Sequence, residues 1–264
     1  MSNQISCPTP YTEVNAILNV LLPDVQEILG DQFVGLYLHG SLAYGDFDPQ
    51  TSDIDFLVVT ESNLAAEIFA NLREMHAQLF NSGLAWSQKI EGAYTPKDIL
   101  RRHDTTHSPL PWLGVDGHFA LERLGSDWTI QRWILRERGV VVTGPPPKPM
   151  IDPVSAEDLR NAVHTNLCDW WTPPLPSSER FQNDDYQVYA ILTMCRSLYV
   201  LESGRIASKP EAAKWAMGVL GYPWHELITL AATWRPGIKF DKLDEMMEFI
   251  FYTLNCYRKS AYSR

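Results

Sequence analysis

The chain has 264 residues, a formal net charge of -10 and a composition that is 45% hydrophobic and 20% charged. A chain of this size buries a full core without disulfide or metal staples. Its acidic balance argues against a broad nucleic-acid surface, which needs a basic stripe to neutralise phosphates, and favours a cationic small molecule instead.

The N-terminal half alternates short β-rich runs with helical ones. Residues 11–29 carry apolar side chains at helical spacing (Val14, Ile17, Leu18, Leu21, Val25, Ile28), with Gly30 as a stop. Residues 33–39 read as a strand. A polar, glycine-bearing loop then leads to a second strand at 53–60, whose end Phe56-Leu-Val-Val59 is continuously apolar. Residues 63–80 read as helix, 87–94 as a third strand, 127–138 as helix and 139–143 as a strand. The mixture predicts an α/β or α+β domain.

The proline-rich segment Gly144-Pro-Pro-Pro-Lys-Pro149 can continue neither a helix nor a central strand and reads as a connector. Beyond it, residues 155–170, 184–203, 209–220, 224–233 and 241–257 read as helices, predicting an α-helical bundle. Two domains are therefore expected, 1–149 and 150–264.

The four cysteines (Cys7, Cys168, Cys195 and Cys256) show no paired spacing and read as ordinary buried thiols of a reduced intracellular protein. The segment Met1 to Pro10 lacks the basic start and apolar run of a signal peptide. No apolar stretch approaches the roughly 20 residues of a membrane-spanning helix. The chain is expected to act in the cytoplasm as a single copy, without membrane or nucleic-acid partners. His103-Asp-Thr-Thr-His107 has the spacing of two helical zinc ligands, but no neighbouring carboxylate completes such a site. Trp215 and Trp224 are expected in the helical core; Trp112, Trp170 and Trp171 sit in loop-like contexts that suit either packing or a ligand.

The chemistry concentrates between Leu38 and Val59. Gly40-Ser41 follows a strand and opens a turn; glycine admits close backbone approach, and the turn's N–H groups with the Ser41 hydroxyl can cradle phosphate. Asp53 and Asp55, two apart on a strand, project from one face. At 4 Å and an effective dielectric near 20 they would repel by roughly 4 kcal/mol. A Mg²⁺ ion reverses that sign, and a phosphate can complete its oxygen shell. Glu91, on the next strand, fits either a third carboxylate of such a site or an ordinary surface glutamate.

The Gly-Ser…Ser-Asp-Ile-Asp segment resembles the nucleotidyltransferase superfamily typified by DNA polymerase β and kanamycin nucleotidyltransferase. More closely, from about Leu21 to Tyr257, the chain resembles the streptomycin/spectinomycin adenylyltransferases. Asp152-Pro-Val154, the segment from Trp170 to Pro174, Thr193-Met-Cys-Arg-Ser-Leu-Tyr199 and the stretch from Gly204 to Met217 carry that likeness in the second half. The resemblance implies a polymerase-β-like domain followed by a helical one, Mg²⁺ as cofactor and ATP as co-substrate, with AMP passing to a hydroxyl of an aminoglycoside held between the domains.

Position by position, the resemblance places Ser41 and Ser52 on phosphate and Asp53 and Asp55 on metal. It makes Glu91 the catalytic glutamate and a third metal ligand, and sends Arg196 and Lys209, otherwise ordinary helix-surface charges, to the triphosphate. Trp170 matches a tryptophan that contacts the aminoglycoside. The loop from Leu175 to Asn183 is longer than the family's, and Glu179, Asp184 and Asp185 depart from its acid pattern; Asp184 and Asp185 are the expected acceptor acids. Two other outcomes fit the same motifs: transfer to a protein or RNA end, and a nucleotide-binding module without turnover.

Overall fold

The computed structural model describes residues 7–102, 109–172 and 179–261. His103 and His107, and much of the loop from Leu175 to Asn183, lie outside them. Contacts divide the chain into two compact units, Met1–Pro153 and Val154–Arg264.

The first unit runs α1 (Thr12–Leu29), β1 (Phe33–Leu38), α2 (Gly40–Tyr44), β2 (Ile54–Thr60), α3 (Ala66–Phe80), β3 (Ile90–Pro96), α4 (Lys97–Arg101), β4 (Leu110–Leu113), β5 (Phe119–Glu122), α5 (Trp128–Arg138) and β6 (Val140–Thr143). Its six strands form one sheet in the order β5-β4-β3-β2-β1-β6. The β2–β3 pair is parallel and the others are antiparallel, so the sheet is mixed. A parallel neighbour needs a crossover, which α3 supplies.

Strand alternation divides the sheet's side chains between two cores. Leu36, Leu38, Ile54, Phe56, Val58, Ile90 and Tyr94 pack against the apolar stripes of α1 and α3. Tyr37, Leu57, Val59 and Ala93 turn the other way, onto Leu100 of α4 and Trp128 and Leu135 of α5. Phe56 to Val59 thus lie within the cores of both faces, which is why this strand reads as an unbroken apolar run. Burying one such side chain stabilises the fold by about 1.5–3 kcal/mol.

The second unit contains α6 (Ala156–Asp169), α7 (Asp184–Ser203), α8 (Lys209–Val219), α9 (Trp224–Thr233) and α10 (Leu243–Ala261). Capping boxes fix two helix starts: Ser155 with Asp158, and Ser208 with Glu211. Each satisfies backbone donors that a helix N-terminus leaves unpaired. Helix α7 is the central element, packed on by α6, α8, α9 and α10.

Several expectations need correction. Strand β3 starts at Ile90 rather than Ser87, because Ser87 to Lys89 form a turn in which the Lys89 N–H donates to the Trp86 carbonyl at 2.9 Å. Helix α4 and strands β4 and β5 are additional elements. Of the cysteines only Cys195 is buried; Cys7 and Cys168 are exposed and Cys256 is half-buried, all four as free thiols. Trp215 and Trp224 are half-buried rather than enclosed. Among the described residues, no helix is long and apolar enough to cross a membrane.

Candidate active site

The antiparallel pairing of β1 with β2 brings the end of one strand to the beginning of the other, so Gly40-Ser41 meets Asp53-Ile-Asp55. The His39 N–H donates to the Asp55 carbonyl at 3.0 Å and locks that junction. Gly40 follows with φ +55°, a left-handed conformation, and the place a Cβ would occupy there is filled by the Asp55 carboxylate. Glycine is required at this position twice over, for its backbone and for the acid lying against it. Gly45, also left-handed, ends α2 by donating to the Ser41 carbonyl.

Parallel pairing of β2 with β3 sets Asp55 directly opposite Glu91. Asp55 shares the parity of Leu57 and Val59, and Glu91 that of Ala93, so both acids extend the α4/α5 face beyond its apolar core. Asp53 precedes Asp55 by one pleat repeat, and all three acids are half-buried. The Ile54 N–H donates to the Lys89 carbonyl at 2.8 Å, holding the acidic segment against the turn before β3.

The Ser41 hydroxyl oxygen is buried without a protein hydrogen-bond partner among the described residues. A polar atom buried in that way is costly unless something supplies its partner, and a phosphate oxygen suits a hydroxyl donor. Ser52 differs. Its hydroxyl accepts from the Asp48 N–H at 3.0 Å and its own N–H donates to the Asp48 carbonyl at 2.8 Å, closing the turn that delivers Asp53.

His39 escaped the sequence reading. It is buried on the same strand parity as Tyr37, beside Asp55; burial holds its imidazole pKa low, opposed in smaller measure by the Asp55 charge. The signal lay in its position, between an apolar strand and the glycine that contacts Asp55. On the same side, the Arg138 guanidinium lies 4.7 Å from the Tyr44 ring centroid and ties α5 to α2.

Among the described residues no group of three His, Cys, Asp or Glu side chains is arranged to hold a metal ion. Magnesium does not ask for a protein cage. It is usually held by one or two carboxylates together with substrate phosphates. Asp55, with Asp53 or Glu91 beside it, supplies hard-oxygen donors of the kind and number that requirement asks for.

The remaining expected residues belong to the second unit. Arg196 lies half-buried on α7. Lys209 is the first residue of α8, and its ammonium lies 5.2 Å from the ring centroid of Tyr189 on α7. Asp184 and Asp185 open α7, where the dipole favours acids; the Asn183 side chain accepts from the Asp185 N–H. Asp184 also accepts from the Asp241 N–H at 3.2 Å. Trp170 ends α6 and is 51% exposed, whereas Trp171 is 1% exposed and packs against Tyr186 and Tyr189. The two tryptophans differ in exposure, and Trp171 belongs to the core.

Two family models match in tandem: a nucleotidyltransferase domain over residues 19–93, and the C-terminal domain of aminoglycoside adenylyltransferases over residues 149–255. The chain is 27% identical over 254 residues to an aminoglycoside (3'') (9) adenylyltransferase of Escherichia coli, covering 91% of this chain and 93% of that protein. It is 26% identical over 232 residues to a spectinomycin 9-adenylyltransferase of Campylobacter jejuni, covering 83% of each. Its fold matches a crystal structure of a spectinomycin adenyltransferase from Enterococcus faecialis with ATP and spectinomycin. The TM-score is 0.70 at 20% identity, over 91% of this chain and 97% of that one.

Proposed function

We infer that this chain, which belongs to the aminoglycoside adenylyltransferase family, transfers AMP from ATP to a hydroxyl of an aminoglycoside-type antibiotic such as streptomycin or spectinomycin. The observation that carries this reading is the convergence at one sheet face. Asp55 stands in register with Glu91 and against Gly40, and Gly40 is followed by the Ser41 hydroxyl, buried without a partner among the described residues.

In the proposed reaction the acceptor hydroxyl oxygen bonds to the α-phosphorus of ATP. The bond from that phosphorus to the bridging oxygen of the β-phosphate breaks, and pyrophosphate leaves with the electron pair. Glu91 takes the proton that the hydroxyl loses. Ser41 and Ser52 donate to phosphate oxygens, and Arg196 and Lys209 add the cationic charge that a triphosphate beside two aspartates needs. Magnesium, held by Asp53 and Asp55 with Glu91 beside them, would supply charge neutralisation for the phosphates. Trp170, Asp184 and Asp185 are assigned to the acceptor, whose positive charge suits the acids. A cytoplasmic reaction, where ATP is at hand, and action as a single copy belong to the same proposal.

The test is pyrophosphate release with ATP and Mg²⁺, with and without streptomycin or spectinomycin. Release that requires both antibiotic and metal supports the assignment. Equal release without the antibiotic would move the acceptor elsewhere, and no release at all would leave only nucleotide binding.

A further inference from the structure

Lys209 occupies an unfavourable place. It is the first residue of α8, where the positive end of the helix dipole repels an ammonium, and the adjoining cap is already completed by Ser208 and Glu211. Local preference would put an acid or a neutral residue there. A cation kept at this point needs a seat, and the structure supplies one 5.2 Å away in the face of the Tyr189 ring.

That ring is exposed but has two aromatic neighbours. The buried Trp171 lies 6.3 Å from it and Tyr186 lies 5.5 Å from it, centroid to centroid. Along α7 the less buried residues Asp185, Tyr189, Thr193 and Arg196 recur at helical intervals, whereas Ala190, Ile191, Met194 and Cys195 turn into the core. Tyr189 therefore shares the open stripe of α7 with Arg196 and brings the Lys209 ammonium onto the same face.

We propose that Tyr189 is a positioning residue for the nucleotide: its ring, in contact with Trp171 and Tyr186, holds the Lys209 ammonium in place before the triphosphate arrives. The inference rests on the reading of Lys209 as a triphosphate contact. Preorganisation of this kind removes part of the side-chain ordering that binding would otherwise require. It acts on nucleotide affinity without any contact between Tyr189 and the reacting atoms.

The test is calorimetric binding of a non-hydrolysable ATP analogue with Mg²⁺ to the full chain and to Tyr189→Leu, Tyr189→Phe, Lys209→Ala and the Tyr189→Leu/Lys209→Ala double variant. Tyr189→Leu is expected to weaken binding by about two- to fivefold, the size of an exposed cation–π contact. Tyr189→Phe keeps the ring and should bind like the parent. In the Lys209→Ala background, Tyr189→Leu should add nothing. Unchanged affinity in Tyr189→Leu, an equal loss in Tyr189→Phe, or an undiminished effect without Lys209 would each overturn the proposal. If Lys209→Ala alone binds as the parent does, the triphosphate reading of Lys209 falls and takes this inference with it. If Lys209→Ala weakens binding while Tyr189→Leu does not, only the role of Tyr189 falls.

Discussion

Replacing Gly40 with alanine tests the geometry on which the proposed site depends. A Cβ at this position would lie 2.6 Å from Asp55 Cγ, with a carboxylate oxygen closer still. Ordinary carbon–carbon contact is about 3.5–4.0 Å, so the carboxylate must retreat by about 1 Å. The alanine must also adopt φ near +55°, at a cost of about 1–2 kcal/mol for an L-residue. A displacement of that size at a reacting centre lowers turnover by about 100-fold. Gly83 supplies the control: its φ is +72° with nothing near its would-be Cβ, so Gly83→Ala imposes backbone strain alone. Urea denaturation should show both variants destabilised, Gly40→Ala by the larger amount because its Cβ also displaces Asp55. Steady-state assay of AMP transfer should show a large loss in kcat/KM for Gly40→Ala only. Gly40→Ala with activity comparable to Gly83→Ala would refute the placement of Asp55 in the reaction.

Three further expectations follow from other parts of the first unit. Glu91→Gln should lower kcat by about 100- to 10,000-fold, as loss of a general base does, with little change in binding of a non-hydrolysable ATP analogue; near-parental kcat would remove Glu91 from proton transfer. His76 is buried among Phe56, Tyr94 and Phe119 with Nε2 2.7 Å from the Tyr94 hydroxyl, and burial pushes its pKa down to about 3. The unfolded chain, with an ordinary histidine pKa near 6.5, binds the extra proton, so this stability is complete above pH 6.5 and is lost progressively as pH falls towards 3. Between pH 7.5 and 5 the parent should lose about 2 kcal/mol more than a His76→Leu/Tyr94→Phe double variant in urea titrations, and parallel pH profiles would contradict this. Arg132 is buried and donates to the carbonyls of Leu100 and Arg101 at the end of α4. Arg132→Met should cost about 1–3 kcal/mol by thermal or urea unfolding, since it takes the donor from the Leu100 carbonyl while the Arg101 carbonyl keeps the Asp152 N–H; an unchanged midpoint would mean that the Leu100 carbonyl finds another partner.

Long periodic segments were legible in the sequence because burial and spacing agree in them. Helices α7 and α9 begin and end where their apolar stripes do, and β2 shows its double-sided burial in Phe56-Leu-Val-Val59. Strands β4 and β5 were not legible. Each has four residues, and β4 contains Pro111, which ordinarily argues against an interior strand. Here Pro111 stands opposite Leu121 of β5, while Trp112 and Leu113 pair with β3. The early start assigned to β3 overlooked Trp86, a non-glycine residue at φ +73° that turns the chain ahead of the strand. Local composition carries no sign of that conformation.

The candidate site divides in the same way. The Gly-Ser and Asp-x-Asp signals were visible because their backbone demands and charges are specific to residue type. The register of Asp55 with Glu91, the contact of Gly40 with Asp55 and the burial of His39 arise from strand pairing, which a linear sequence does not display. Trp170 and Trp171 make the same point. Adjacent and chemically identical, they are separated into exposed and core residues by the direction in which each leaves the end of α6.

The most direct test of the account is mass spectrometry of streptomycin and of spectinomycin after incubation with the protein, ATP and Mg²⁺. The account predicts that at least one of them gains the mass of a single AMP, and that the gain disappears with Asp55→Asn. An unmodified pair of antibiotics, or modification that survives Asp55→Asn, would contradict it.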